Sequence, residues 1–424
     1  MKKNWQLDIF HSRYSCSFLV IINLLVYYPT LKNGFLTMDD QWMVFSHYTE
    51  RGWTVDNLWH IFTDFYGGQY APLAFLSYLV LYAGFGYDPF YFHMFSLLLH
   101  IGCVCLVWKL ISSLLRVHGG VSEKQILYVN FITTLLFAVH PINVEAVAWI
   151  SALKVLLYAF FYLLGLLCYL RYIRTSKIFY YVLTIGCFLC SFWGKEQAVT
   201  FPLALLIVDW FTNRNMKNLE VWSEKMSFLI MAFFFGIITV LSQGKGPYEM
   251  IFPLYQRLLF GCFALVEYIT KSLLPVNLNF FYPFPIVLGE EPPLHYYLYP
   301  VVLLFLMGWI IAYRNNRYLV FGVLLFLVNL LFSIHLFNMS RHAIVADRYM
   351  YLSYVGIAFL IANGIWWLRK RLSYFKAALV FLFFYCFFLS VYTFHYTKKW
   401  ENTTMVKKYT KEVLEKRLNG SNHL

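Results

Sequence analysis

Charge is scarce in this 424-residue chain. Only 13% of its residues are Asp, Glu, Lys or Arg, against about 25% in an ordinary soluble domain. Acidic residues are the scarcer kind, 21 against 34 basic ones. A soluble protein so poor in charge would expose apolar patches large enough to drive aggregation. Cysteine is limited to eight positions, all inside apolar runs. The C-x-x-C at Cys187 and Cys190 lacks the second pair that a tetrahedral zinc site requires, so the thiols read as small packing groups and a disulfide scaffold is excluded. No repeat of about 20–50 residues appears, which excludes a solenoid. No small-residue cleavage site follows the first apolar run, so that run reads as a span rather than a removable signal.

What fills the chain is apolar and aromatic: 60% and 21% of residues, respectively. A helix crosses the roughly 30 Å hydrocarbon layer with about 20 apolar residues. Eleven such runs are predicted, at 15–31, 90–114, 125–140, 149–170, 178–194, 197–212, 226–242, 294–313, 318–336, 350–368 and 376–396. The net charge of +13 is not spread as a nucleic-acid surface would be. It falls in short clusters between the runs, among them Arg116 with Lys124, Arg171 with Arg174 and Lys177, Arg214 with Lys217, Arg314 with Arg317, and Arg369-Lys370-Arg371. Such clusters mark cytoplasmic loops, so the charge reports topology. Segment 250–275 carries Arg257, Glu267 and Lys271 and is too interrupted to span; it is expected to lie at or dip into the outer face. The chain is therefore expected to be an all-α polytopic membrane protein. Residues 1–396 form its membrane unit, 32–89 and 243–293 are external, and a short basic tail, 397–424, is also external. In the first external piece a helix at 54–66, with Leu58, Ile61, Phe62 and Phe65 on one stripe, and a second at 71–84 are expected to lie in the headgroup plane.

Ionisable groups at membrane depth are costly and tend to serve function, and here they gather at the outer ends of spans. Asp39 and Asp40 follow the first span; adjacent carboxylates point in different directions, so one can act as a general base while the other orients or holds it. At the tip FAVHPINVEAVAWISALK stand His140, Glu145 and Lys154, with Glu145 and Trp149 expected on one helix face at i, i+4. In SFWGKEQAVTFP, Lys195 and Glu196 sit between two spans with almost no loop. In NMSRHAIVADRYMYLSYVG, Arg341, Asp347 and Arg348 meet. Arginine's planar fork suits phosphate, so Arg348, fixed by Asp347 and flanked by Tyr349 and Tyr351, is the candidate clamp for a lipid phosphate. A transporter would instead place its polar groups near mid-span.

These segments resemble the membrane domain of the transmembrane and tetratricopeptide-repeat-containing protein O-mannosyltransferases and their bacterial relatives, within the GT-C class. The resemblance covers about residues 30–400. Its most specific pieces are MDDQW, QYAPLAFLSYLV, FAVHPINVEAVAWIS, GKEQAVTFPLALLIVDWF, YITKSLLPVNLNFFYPFP and ADRYMYLSYVG. It implies a GT-C-like fold of about eleven spans and a glycosyltransferase that moves a sugar, mannose by the family, from a polyprenyl-phosphate donor to Ser or Thr hydroxyls of secreted or periplasmic proteins. Asp39 is then the general base, Asp40 its partner, and Arg348, Lys195, His140, Glu145, Lys154, Glu196, Asp347 and Arg341 the donor-binding set. A lipid or glycan acceptor, or a flippase for the same lipid, are the competing readings. Membrane lipid is a partner and nucleic acid is not. A divalent metal at the Asp pair would need phosphate oxygens to complete its shell. The composition points to a bacterial inner membrane, with the endoplasmic reticulum as alternative. Relatives carry repeats after the last span where this chain has WENTTMVKKYTKEVLEKRL, and they place Arg-Lys and an acid where this chain reads Ala152-Leu153-Lys154-Val155, so only Lys154 matches there.

Overall fold

The computed structural model describes residues 12–243, 252–335 and 343–421. Eighteen α-helices run through them: α1 Ser12–Tyr27, α2 Asp40–Met43, α3 His47–Glu50, α4 Val55–Thr63, α5 Pro72–Phe85, α6 Pro89–His118, α7 Glu123–Val139, α8 Val144–Ala148, α9 Leu153–Thr175, α10 Ile178–Gly194, α11 Phe201–Phe211, α12 Leu219–Gln243, α13 Leu254–Leu273, α14 Leu298–Ala312, α15 Arg317–Leu330, α16 Met350–Leu368, α17 Leu372–Lys398 and α18 Thr403–Ser421. Short 3-10 turns and two isolated β-bridges, Tyr66 with Gln69 and Tyr282 with Val345, complete the regular structure among the described residues. With no water in the hydrocarbon layer, helices are the way such apolar segments satisfy their own backbone.

The chain is an all-α polytopic membrane protein. Among the described residues seven helices are long and apolar enough to cross a bilayer; α7 with Pro141–Ala148 makes an eighth, bent by 51°, and three shorter apolar helices are α5, α10 and α15. Each of the eleven predicted runs is helical over most of its length. Helix α13, as the charges in its sequence predict, is not among those apolar enough to span. It buries a stripe through Gln256, Phe260, Ala264, Tyr268 and Lys271.

Helices α9 and α10, α15 and α16, α6 and α9, and α7 and α16 form the main packed pairs. Small residues permit the closest of these approaches: a Cβ on Gly356 would stand 2.5 Å from the Gly322 carbonyl oxygen, so α15 and α16 touch backbone to backbone. At the other extreme, α14 buries none of its residues. Its exposed Leu304, Phe305 and Trp309 suit lipid and no aqueous surface.

Four local expectations are corrected. The Leu58–Ile61–Phe62 stripe of α4 turns inward: Ile61 is buried, and Leu58 and Phe62 pack against the cluster that includes α5. The exposed face carries Trp59 and Val55 instead. Helix α5 is equally built in, burying Phe75, Tyr78 and Leu79 and donating from the Tyr78 hydroxyl to the Ile150 carbonyl at 2.9 Å. Helix α8 ends at Ala148, and Trp149 is extended at φ −100°, ψ 116°, so Glu145 and Trp149 do not share a helix face. Arg214 is more than a topology marker. It bonds Glu224 at 2.6 and 2.9 Å inside a network in which buried Lys225 meets buried Asp209 at 2.5 Å and Tyr169 donates to Asp209. Lys154 and Tyr169, at opposite ends of α9, are separated by about 22 Å of helix rise, so this network is remote from Lys154.

The tail is ordered onto the rest. Asn33 Nδ2 donates to the Thr397 carbonyl at 3.1 Å, Gly34 N to the Glu401 carbonyl at 2.8 Å and Thr37 N to Thr403 Oγ1 at 2.7 Å. Between these anchors Trp400 is buried against Trp149 and Phe280.

Candidate active site

Five short connections meet: segment 33–40, the α7–α9 hairpin tip 140–152, the α10–α11 break 194–200, segment 278–282, and the turn 344–349 before α16. Each breaks helix geometry for a readable reason. Pro141 follows His140 and opens a 3-10 turn; Lys195 is extended at φ −161°, ψ 143°, after which Glu196–Thr200 form another 3-10 turn. The two spans are therefore separated by a break at Lys195. Pro72 and Pro202 likewise stand in the first turns of α5 and α11, where the missing N–H is tolerated.

The two carboxylates of the Asp pair have opposite environments. Asp40 is fully buried. Its Oδ2 accepts the Leu36 N–H at 2.8 Å, and its Oδ1 accepts the Ser151 N–H at 3.0 Å and the Ser151 hydroxyl. Both oxygens are thus committed to holding loop 36–40 on the hairpin tip. Burial pushes its carboxyl up to about 6, against those hydrogen bonds. The folded chain therefore holds a proton there more tightly than the unfolded chain, so stability falls as pH rises between the unfolded value of 3.8 and about 6, by about 3 kcal/mol at most. Between pH 7 and pH 5 the melting temperature of the detergent-solubilised protein should rise more than that of an Asp40→Asn variant; equal slopes would remove Asp40 from the account.

Asp39 is half-buried, and its side chain caps no helix N–H. It lies within electrostatic reach of Lys154 and Arg348. Lys154 is buried and donates to Gln69 Oε1 at 2.5 Å, and it also feels Lys195 and half-buried Glu196. Lys195 Nζ stands 4.9 Å from the Tyr349 ring centroid. Arg348 lies between Trp149 and Tyr349, at 5.4 and 5.2 Å from the ring centroids. The structure thus brings together Asp39, Lys154, Lys195, Glu196 and Arg348.

The expected partner of Arg348 is replaced. Fully buried Glu145 accepts the Arg348 backbone N–H at 2.7 Å and its guanidinium Nη1. Asp347 turns the other way, accepting from Lys271 Nζ at 2.8 Å and from the Tyr282 hydroxyl at 2.9–3.0 Å. A turn cannot aim neighbouring side chains at one point, and here it sends them to different helices. Tyr351 does not flank Arg348 either; its hydroxyl meets His100 Nδ1 at 2.7 Å. His140 is buried as a turn cap, Nδ1 accepting the Ile142 N–H at 3.2 Å with the ring 4.1 Å from that of Tyr354. Arg341 lies outside the described residues.

Sequence reading missed Ser151, Gln69, Lys271 and Tyr282. Each lies inside one of the motif segments, which was the available signal. Among the described residues no group of three His, Cys, Asp or Glu side chains can hold a metal ion. Because Asp40 is saturated by protein donors, Asp39 is the member of the pair with oxygens open to a ligand. The arrangement offers two half-buried carboxylates, Asp39 and Glu196, beside three cations, which suits deprotonating a hydroxyl next to a departing anion.

No family model matches the chain. It is similar to protein O-mannosyl-transferase tmtc2 of Xenopus laevis, 28% identical over 242 residues, 53% of this chain and 27% of the relative. TMTC2 of Mus musculus is 32% identical over 189 residues, 41% of this chain and 21% of the relative. Tmtc3 of Drosophila melanogaster is 28% identical over 172 residues, 36% and 18%. The chain thus spans about a quarter or less of the length of these relatives in the matched part. Over that part the chain is similar to the TMTC protein O-mannosyl-transferases, the family its motifs resemble.

Proposed function

We propose that this chain transfers a sugar, mannose by the names of its relatives, from a polyprenyl-phosphate donor to Ser or Thr hydroxyls of proteins. The reading rests above all on Asp39, the half-buried carboxylate with no helix-capping bond beside Lys154 and Arg348. Asp39 takes the proton of the acceptor hydroxyl while that oxygen attacks the anomeric carbon. The bond from that carbon to the phosphate oxygen breaks, and the lipid phosphate leaves with the electron pair. Attack from the opposite face inverts the anomeric centre. Phosphate is already a fair leaving group, so countering its charge with Arg348, Lys195 and Lys154 matters more than protonating it. Glu145 holds Arg348 through one guanidinium nitrogen, which leaves the rest of the fork for the phosphate. Residues 1–396 act as the transferase unit, with loops 32–89 and 243–293 and the tail 397–424 on the site's face. That face is away from the cytoplasm, on the periplasmic side of a bacterial inner membrane or the lumenal side of the endoplasmic reticulum.

The direct test incubates purified protein with polyprenyl-phosphate mannose and Ser/Thr-containing peptides and weighs the products. Peptides heavier by one hexose on a hydroxyl side chain are expected. Hexose appearing only on lipid would move the acceptor, and donor crossing the bilayer without transfer would favour a flippase.

A further inference from the structure

A cleft of about 780 Å³ lies beside the site, lined by His47, Tyr48, Asp64, Tyr66 and the Gly67–Gly68 turn, with Ser242 of α12 on its other side. That volume is in the range of built ligand sites, roughly 300–1,000 Å³. Its wall is aromatic: the His47 ring packs 4.0 Å from that of Tyr48 and 5.2 Å from that of Tyr66, and the two tyrosines stand edge to face at 5.3 Å. Its acid is fixed, Asp64 Oδ2 accepting the Tyr48 hydroxyl at 2.9 Å and contacting His60 Nδ1 at 3.1 Å.

The turn is also the wall between cleft and site. Tyr66 and Gln69 exchange backbone bonds of 3.1 Å in both directions, with Gly67 and Gly68 at φ +58° and +70°, a reversal that glycine makes without strain. A Cβ on Gly67 would stand 2.5 Å from the Trp42 ring, and Trp42 N donates to the Asp39 carbonyl at 3.2 Å. At the far end of the turn, Gln69 holds Lys154.

We infer that this cleft binds the acceptor polypeptide and presents its hydroxyl residue past Trp42 to Asp39, an inference that rests on the transfer reading above. A polyprenyl tail is a poor occupant, because the Asp64 carboxylate and the exposed His47 would lose water without gaining a partner. A phosphate is poorer still, since the lining holds Asp64 and no Lys or Arg. An extended peptide fits. The backbone N–H and C=O groups of Gly67 and Gly68 make no backbone hydrogen bond among the described residues and can pair with a main chain, while the tyrosine faces take the side chains that flank the hydroxyl residue.

The test uses the full chain in lipid nanodiscs and a Thr-containing peptide carrying a benzophenone two residues from the Thr. Cross-links are expected on segment 47–68, and Tyr66→Ala and His47→Ala should each raise the peptide KM about 10-fold. Trp59→Ala, exposed on the neighbouring α4, should keep the wild-type KM. Because His47 is exposed, its variant stays interpretable if Tyr66→Ala misfolds. Cross-links mapping elsewhere, wild-type KM in both cleft variants, or displacement of the peptide by a free oligosaccharide would each overturn the assignment. Cross-linking at the cleft by a protein that transfers no sugar would uphold the cleft and sink the transferase reading instead.

Discussion

Asp39→Asn should lower the rate of the proposed sugar transfer by about 10²–10⁴-fold, the usual worth of a positioned general base, while the protein keeps its melting temperature. The side chain caps no helix N–H, so an amide in its place breaks none of the fold's capping bonds. Asp40→Asn behaves differently. The Leu36 and Ser151 N–H groups both point at its carboxylate, so one of them would face an amide N–H instead and lose its acceptor. An unsatisfied buried donor costs about 1–3 kcal/mol, which thermal unfolding in detergent would read directly. A fully active Asp39→Asn chain would overturn the assignment. An inactive but undestabilised Asp40→Asn chain beside it would exchange the two roles.

Glu145→Gln should destabilise the protein by about 1–3 kcal/mol, because it takes the buried carboxylate from half-buried Arg348 and leaves a donor short of its acceptor. The amide cannot serve both the backbone N–H and the guanidinium of Arg348 as the carboxylate does. Arg348→Lys keeps the charge but loses the fork. Its kcat should fall by about 10²-fold, the scale for loss of one donor to a developing anion, with stability nearly kept. Removing both charges in Glu145→Gln/Arg348→Met should return part of the melting temperature and none of the activity. If the double variant melts no higher than Glu145→Gln alone, Glu145 is not there to neutralise Arg348.

Much of this was legible in the sequence because charge is rare. When a chain is 60% apolar, each polar residue near a span end stands out, and Asp39, Lys154, Lys195, Glu196 and Arg348 were all found that way. Hydropathy also located eleven runs, each of which is helical over most of its length. Partner choice was not legible. Asp347 and Arg348 are adjacent in sequence, yet Asp347 pairs with Lys271, 76 positions away, and Arg348 with Glu145, 203 positions away. Those distances are set by how α13, α16 and the hairpin tip pack, and no local spacing encodes that. The α4 stripe failed for a related reason. An amphipathic helix reports that it has an apolar side, but whether lipid or protein receives that side depends on what else is near, and α5 took it.

The strap that runs from Thr397 to Thr403 gives the molecule a mechanical property. It grips Asn33, Gly34 and Thr37 on one side and, through Trp400, the Trp149 plate under Arg348 on the other. Asp39 and Arg348, the proposed base and phosphate clamp, therefore share a lever whose handle is α18. Tension or torsion applied to that helix by a tag, an antibody or a bound partner would be transmitted to the spacing between Asp39 and Arg348, so the C-terminal end is a poor place for an innocent fusion and a good one for a remote control.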